Sequence, residues 1–236
     1  MSGDTLCGCF VTGTGTGVGK TVVAGAIVAR LRRDGVPVRA FKPLITGLDD
    51  PVDPDWPRDH ELLARAAGSA PEDVVLAAYG PPVSPHLAAE LAREQPPSPA
   101  AIGDAIRAGA PPGAVTVVEG VGGLLVPIGP DGNVRALAID LGLPLVIAAH
   151  PGLGTVNHTL LTIEAARAAR LTIAGVVLTP WPVTPSTMER SNLETIARLS
   201  GADVATLEPV TAARPELLAI AGDALPLERW LGPSLG

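Results

Sequence analysis

A chain of 236 residues, 47% hydrophobic and 17% charged, is long enough to bury roughly 70–75% of its unfolded surface without a disulfide or metal staple. The charged fraction lies below the usual ~25%, which excludes a disordered chain and points to surface covered by a partner subunit. A net charge of −7 and a pI near 5.0 exclude a basic footprint for nucleic acid or an anionic membrane.

At the start, Met1–Phe10 lacks a basic region and carries Asp4, which argues against a secretory leader. The longest uncharged apolar run, Leu143–Ala149, is far short of the ~20 residues that span a membrane, so the expected location is the cytoplasm. Cys7 and Cys9 stand two apart, a spacing of neither a C-x-x-C redox pair nor a four-ligand zinc site. They read as small packing residues on the first strand.

That strand is predicted over Leu6–Thr12, and Pro37–Lys42, Ala114–Glu119, Pro144–Ala149, Ile173–Leu178 and Asp203–Leu207 follow it as further strands. Their continuous rather than alternating apolar runs suit parallel strands covered on both faces. Between them, Lys20–Asp34 reads as a helix stopped by Gly35, and Thr155–Ala169 as a helix capped by threonine. Thr184-Pro185 resembles a cap with proline at the first position, opening a helix to about Ser200. Asp49–Arg58 (DDPVDPDWPR) is an acidic, proline-rich loop, and Ala78–Pro99 carries a short helix around Leu87–Glu94. The repeated strand–helix–strand order predicts one α/β domain over residues 1–236, a parallel sheet with helices on both faces.

Thr12–Thr21 reads TGTGTGVGKT, after a strand and before an amphipathic helix. In that context Gly15, Thr16, Gly17, Val18 and Gly19 can wrap phosphate oxygens with backbone N–H groups. Lys20 then neutralises charge, and the Thr21 hydroxyl can reach Mg²⁺. Five residues lie between Gly13 and Gly19, one more than the strict phosphate-loop spacing allows. A triphosphate needs a metal with hard oxygen ligands, and Glu119 ends a buried strand at the ligand-binding edge. Read from the residues alone, Glu119 is either that ligand or a solvated loop carboxylate. Lys42, at the end of the second strand, is either a site lysine or a surface one. Several carboxylates of Asp49–Asp59 compete for the metal role.

Together these segments resemble the dethiobiotin synthetases, in family order. Val11–Thr21 is followed by K-P-x-x-[ST]-G at Lys42–Gly47 and an Asp-led helix from Asp59. S-P-H stands at Ser84–His86, V-E-G-x-G-G at Val118–Gly123, and L-G-x-x-N-H at Leu153–His158. The resemblance covers about Phe10 to Thr179, and the additional residue of the phosphate loop is shared. It implies a three-layer P-loop NTPase-like fold and a cytoplasmic homodimer. The implied reaction is ATP-dependent carboxylation and ring closure of 7,8-diaminononanoate with CO₂, giving dethiobiotin, ADP and phosphate. It implies that Lys20 and Lys42 act on the phosphates and carbamate, and that Thr16 and Thr46 hold the amine or carbamate. Thr21, Asp59 and Glu119 would ligate Mg²⁺, with Asp55 in reserve. Gly154, Thr155, Val156 and Asn157 would bind the substrate carboxylate across the subunit interface. His86 would line the substrate cavity, and His158 would pack at the dimer contact. Thr179 stands where relatives often read adenine with asparagine, and Gly17 where many carry glutamate. The main rival is a regulatory ATPase of the partition or division-site type. Such chains carry a second lysine five residues before the loop lysine, and here that position is Gly15.

Overall fold

A computed structural model describes residues 6–130 and 132–232; of the leader reading, Met1–Thr5 lies outside the described residues. The first half runs β1 (Cys7–Gly13), α1 (Lys20–Arg33), β2 (Val38–Phe41), β3 (Leu44–Ile45), α2 (Asp59–Ala67), a 3₁₀ turn at Pro71–Asp73, β4 (Ala77–Ala78), α3 (Pro85–Ala92) and α4 (Pro99–Gly109). It continues through β5 (Val115–Glu119), β6 (Pro127–Gly129), β7 (Gly132–Asn133), α5 (Val134–Leu141), β8 (Leu145–Ala149), α6 (Thr155–Ala168), β9 (Ile173–Leu178), α7 (Thr187–Ser200), β10 (Val204–Thr206), α8 (Pro215–Gly222) and α9 (Leu227–Leu231). All six predicted strands form, in one parallel sheet of order β10-β9-β8-β1-β5-β2. Pro37, with no N–H to donate, stays outside β2 and offers its carbonyl to Val115 N instead (2.8 Å).

The inner strands β1, β5 and β8 are buried almost end to end because both faces are covered. Along β8, Val146 and Ala148 join the core under α1, α2, α8 and α9, while Leu145, Ile147 and Ala149 join the core under α4, α5, α6 and α7. The result is the expected α/β/α sandwich. Among the described residues no helix is long and apolar enough to cross a membrane.

Two helix starts differ from the sequence reading, and four helices are additional to it. Helix α7 begins at Thr187 because Ser186 and Glu189 cap each other. Glu189 N donates to Ser186 Oγ (3.3 Å) and Ser186 N to Glu189 Oε2 (2.7 Å), a reciprocal pair that outcompetes Thr184-Pro185. Helix α3 starts at Pro85, two residues earlier than expected, since proline is pre-set for a first helical position. Helices α4, α5, α8 and α9 add to the three long ones anticipated.

Gly8 is the tightest point of the sheet: its φ is 142°, and a Cβ there would lie 1.9 Å from the Thr116 carbonyl oxygen of β5. Neither strand can retreat without breaking the β1–β5 register. Gly8→Ala is therefore expected to cost about 3 kcal/mol or more, read by urea unfolding. An unchanged midpoint would contradict the register.

Candidate functional site

Parallel strands place all their carboxyl ends on one edge, and there the sheet gathers the motif residues. β1 ends at Gly13 and feeds the phosphate loop, whose Gly17 (φ 74°) and Gly19 (φ 87°) take left-handed conformations that favour glycine. Gly19 caps α1, so the first-turn amides of the helix open toward the loop. Thr16 and Gly17 are exposed at the loop crest, Val18 is half-buried, and Lys20 and Thr21 are buried beneath it.

Register brings the charged groups together. Phe41 of β2 pairs with Val118 of β5, so the next residues, Lys42 and Glu119, stand level on neighbouring strands. Ala40 and Val117 face α1, and two-residue periodicity turns Lys42 and Glu119 to the same side as Thr21. Lys42 Nζ lies 2.5 Å from Glu119 Oε1 and 2.7 Å from Asp59 Oδ2, the first residue of α2. Thr21 Oγ1 donates to Glu119 Oε1 at 2.8 Å. Lys20 Nζ donates to Gly15 O at 2.8 Å, the position where a regulatory ATPase would carry its second lysine.

Glu119 is 1% exposed and Lys42 5%, whereas the Asp59 side chain is 51% exposed at the cavity lip. Burial alone would lower the pKa of Lys42. The Glu119 and Asp59 carboxylates outweigh it and raise the pKa, so the ammonium is charged at neutral pH. Burial pushes the Glu119 carboxyl up, against the pull of Lys42. Burial also lowers Lys20, while for Asp59 burial is overcome by Lys42 and Thr21, which hold its carboxyl low.

A cavity of about 690 Å³ opens above this cluster, lined by Thr16, Lys20, Lys42, Thr46, Asp59 and Glu119 among others. Asp55 does not line it, and its N–H is occupied by Asp53 Oδ1 (2.9 Å). Ser84 and Pro85 reach the wall, but His86 turns away to Ser84 Oγ (3.0 Å), which corrects its expected place in the cavity. Thr179 lies outside the cavity as well. It is buried behind the loop, where a Cβ on Gly19 would meet its methyl at 2.7 Å. Gly154–Asn157 form the cap and first turn of α6, away from this cavity, with Gly154 and Asn157 exposed, Val156 half-buried and Thr155 buried. The turn before them is pinned from α7 by Asn192, whose amide donates to Pro151 O (2.9 Å) and Gly152 O (3.2 Å). A second cavity, of about 480 Å³, runs from Gly13–Thr16 past Gly123–Pro127 to His158, Leu161 and Thr162 of α6. Sequence reasoning left out Val52, Trp56, Arg58 and His60, which line the main cavity. The acidic loop gave no periodicity from which to place Val52, Trp56 and Arg58, and His60 lies on the first turn of α2.

Fold and site define the class: a P-loop α/β protein with a lysine–carboxylate cluster beside its phosphate loop. Residues 8–216 match the family described as an AAA domain. The chain is 42% identical to the ATP-dependent dethiobiotin synthetase of Mycolicibacterium vanbaalenii (strain DSM 7251 / JCM 13017 / BCRC 16820 / KCTC 9966 / NRRL B-24157 / PYR-1) over 206 residues, 87% of this chain and 85% of that one. Identity is 44% over 207 residues to the enzyme of that name from Mycolicibacterium gilvum (strain PYR-GCK), with the same coverage. To that of Anaeromyxobacter sp. (strain Fw109-5) it is 41% over 196 residues, 82% of this chain and 86% of that one. The chain belongs to the ATP-dependent dethiobiotin synthetase family. Among solved structures, a ParA family ATPase from Chlorobium tepidum TLS shares the fold, with a TM-score of 0.52 at 10% identity over 98% of this chain and 97% of that one.

Proposed function

We propose that this chain, acting as one nucleotide-binding domain, makes dethiobiotin from 7,8-diaminononanoate, CO₂ and ATP. The observation that carries the reading is the placement of the Lys42 ammonium beside Glu119, Asp59 and the phosphate-loop helix, under a cavity that Thr16 and Thr46 also line. One amine of the diamine captures CO₂, losing a proton to become a carbamate. A carbamate oxygen attacks the γ-phosphorus and ADP leaves, giving a carbamic–phosphoric anhydride. The second amine attacks the carbamate carbon, the ring closes, and inorganic phosphate departs. No protein nucleophile is required, so the chain's contribution is positioning and charge stabilisation. Lys20 holds the β- and γ-phosphates, Lys42 bridges γ-phosphate and carbamate, and Thr16 and Thr46 orient the amine.

The residues fit Mg²⁺. Among the described residues Glu119 Oε2 is buried without a hydrogen-bond partner, and Thr21 Oγ1 and Asp59 supply further hard oxygens. Mg²⁺ usually takes one or two protein carboxylates and fills its octahedron with phosphate and water oxygens, a set that Glu119, Asp59 and Thr21 could begin. When bound, it would neutralise phosphate charge.

A homodimer completes the site in this reading. Leu153 is 93% exposed, and Leu125 and Leu161 are exposed on the same side as the second cavity. These surfaces suit a second copy, whose Gly154–Asn157 amides would receive the substrate carboxylate. Asn157→Asp sets a negative charge against that carboxylate. It is expected to raise the diamine KM about tenfold, ~1.4 kcal/mol, with the ATP KM unchanged. Equal loss of both affinities would indicate misfolding instead.

The assignment is tested by phosphate release from MgATP with and without diamine and bicarbonate, with the product identified by mass. Diamine-dependent phosphate together with dethiobiotin supports it. Phosphate release indifferent to the diamine would favour a regulatory switch.

A further inference from the structure

The loop from Gly47 to Arg58 leaves from Thr46 and returns to Asp59, both of which line the cavity. Its outgoing limb is stitched to the segment after β4, with Gly47 N donating to Pro81 O (3.0 Å), Leu48 N to Tyr79 O (3.2 Å) and Asp49 N to Gly80 O (2.8 Å). The carbonyls of the same limb point the other way and converge on one side chain. Arg58 Nη1 donates to Gly47 O (3.2 Å), and Nη2 donates to Leu48 O (2.7 Å) and Asp50 O (3.1 Å). The backbone of Arg58 meanwhile starts α2: its N–H donates to Glu61 Oε2 (3.1 Å) and its carbonyl accepts from Leu62 N (2.9 Å). The guanidinium therefore grips the loop's beginning while the main chain is fixed at the loop's end.

We propose that Arg58 is a positioning residue for ring formation, fastening the Gly47–Asp50 turn to the first turn of α2. The two ends of the loop, at Thr46 and Asp59, are thereby held at one separation. The side chain reaches the cavity lining, but its guanidinium is committed to three backbone carbonyls, and in this proposal it acts through its neighbours. Asp59 is the adjacent residue and carries the 2.7 Å contact to Lys42, so slack at Arg58 passes directly to the lysine–carboxylate cluster. The chemistry requires arginine. Its planar fork sets Nη1 on Gly47 O and Nη2 on Leu48 O and Asp50 O at a fixed spacing, whereas a lysine ammonium offers a single donor centre. Among the described contacts the guanidinium has carbonyl partners and no carboxylate, so the clamp is set by geometry rather than by ion pairing.

The proposal rests on the reading of Thr46 and Asp59 given above, and the test keeps the two apart. Full-length parent, Arg58→Met and Arg58→Lys are compared in steady-state kinetics with ATP and diamine varied separately, alongside thermal melting and amide hydrogen exchange. The parent must first show diamine-dependent dethiobiotin formation; without it the functional reading itself fails. Given an active parent, both variants are expected to melt within a few degrees of it. Their kcat should fall about tenfold and their diamine KM rise about tenfold, while the ATP KM stays within twofold. Amides of Leu48–Asp53 should lose protection. Added guanidinium ion should restore part of the Arg58→Met turnover, and methylammonium should not. Parent-like kcat and diamine KM in Arg58→Met, even with a loosened loop, would overturn the proposal. So would parallel loss of ATP and diamine affinity with a large fall in melting temperature, because that is general destabilisation.

Discussion

Lys20→Ala is expected to keep the fold and to lower diamine-dependent phosphate release by about 10²–10³-fold, the loss typical of removing one donor from a preorganised anion site. Lys20 is only 7% exposed, and its ammonium hydrogen-bonds to Gly15 O within its own loop. Burial disfavours the charged form there, with Glu119 and Asp59 pulling it back and Lys42 adding to the penalty. The chain thus holds a partly desolvated cation ready for a phosphate oxygen. Its energetic return comes when charge develops on the transferring group. Alanine favours the first turn of α1 and leaves its glycine cap intact, so melting should shift little. Circular dichroism melting and phosphate release on the same preparation check both halves. Near-parent turnover with an intact melt would remove the phosphate loop from the chemistry.

Much of this site is legible in the amino-acid sequence. The strands are short, mostly apolar runs without strict alternation, clearest in β8 (LVIAA) and β9 (IAGVVL), because both sheet faces are covered, and such runs announce themselves. Gly-Lys-Thr between a strand and a helix places Lys20 and Thr21 by local geometry alone. That Lys42 and Glu119 share a face follows from their positions at strand ends, but their contact depends on the Phe41–Val118 register, which no local signal encodes. The choice of Asp59 over Asp55 is likewise a matter of tertiary placement, since both sit in the same acidic stretch. The added helices are harder to read for a simpler reason. Gly103 and Gly109 interrupt α4 with small residues, and in α5 the stripe of Val134, Leu137, Ala138 and Leu141 spans only two turns. Arg58 gives no signal because its partners are backbone carbonyls, which every sequence has.

Lys42→Gln should separate chemistry from nucleotide binding. The residue stands between two carboxylates and beside the phosphate loop, so in the proposed reaction its charge counts most while the γ-phosphoryl group moves to the carbamate. A kcat loss of about 10²-fold with an ATP KM within threefold is expected from that role. An unchanged kcat would demote Lys42 to a structural cation. The same substitution also probes the resting chain, because it removes the cation that balances a fully buried Glu119. Breaking such a pair costs about 3 kcal/mol, the low end of the usual range, since the Gln amide can still donate a hydrogen bond. The pH dependence has a definite sign. Burial holds the Glu119 pKa above its ordinary 4.5, and without Lys42 it rises further. A raised carboxyl pKa gives stability that is fully present below the unfolded value and lost as pH rises through the folded one. The melting deficit of Lys42→Gln relative to the parent should therefore be small near pH 4.5 and widen toward neutral pH. Calorimetric scans of both proteins across that range measure it. A deficit independent of pH would mean that the Lys42–Glu119 contact does not act as an ion pair in solution.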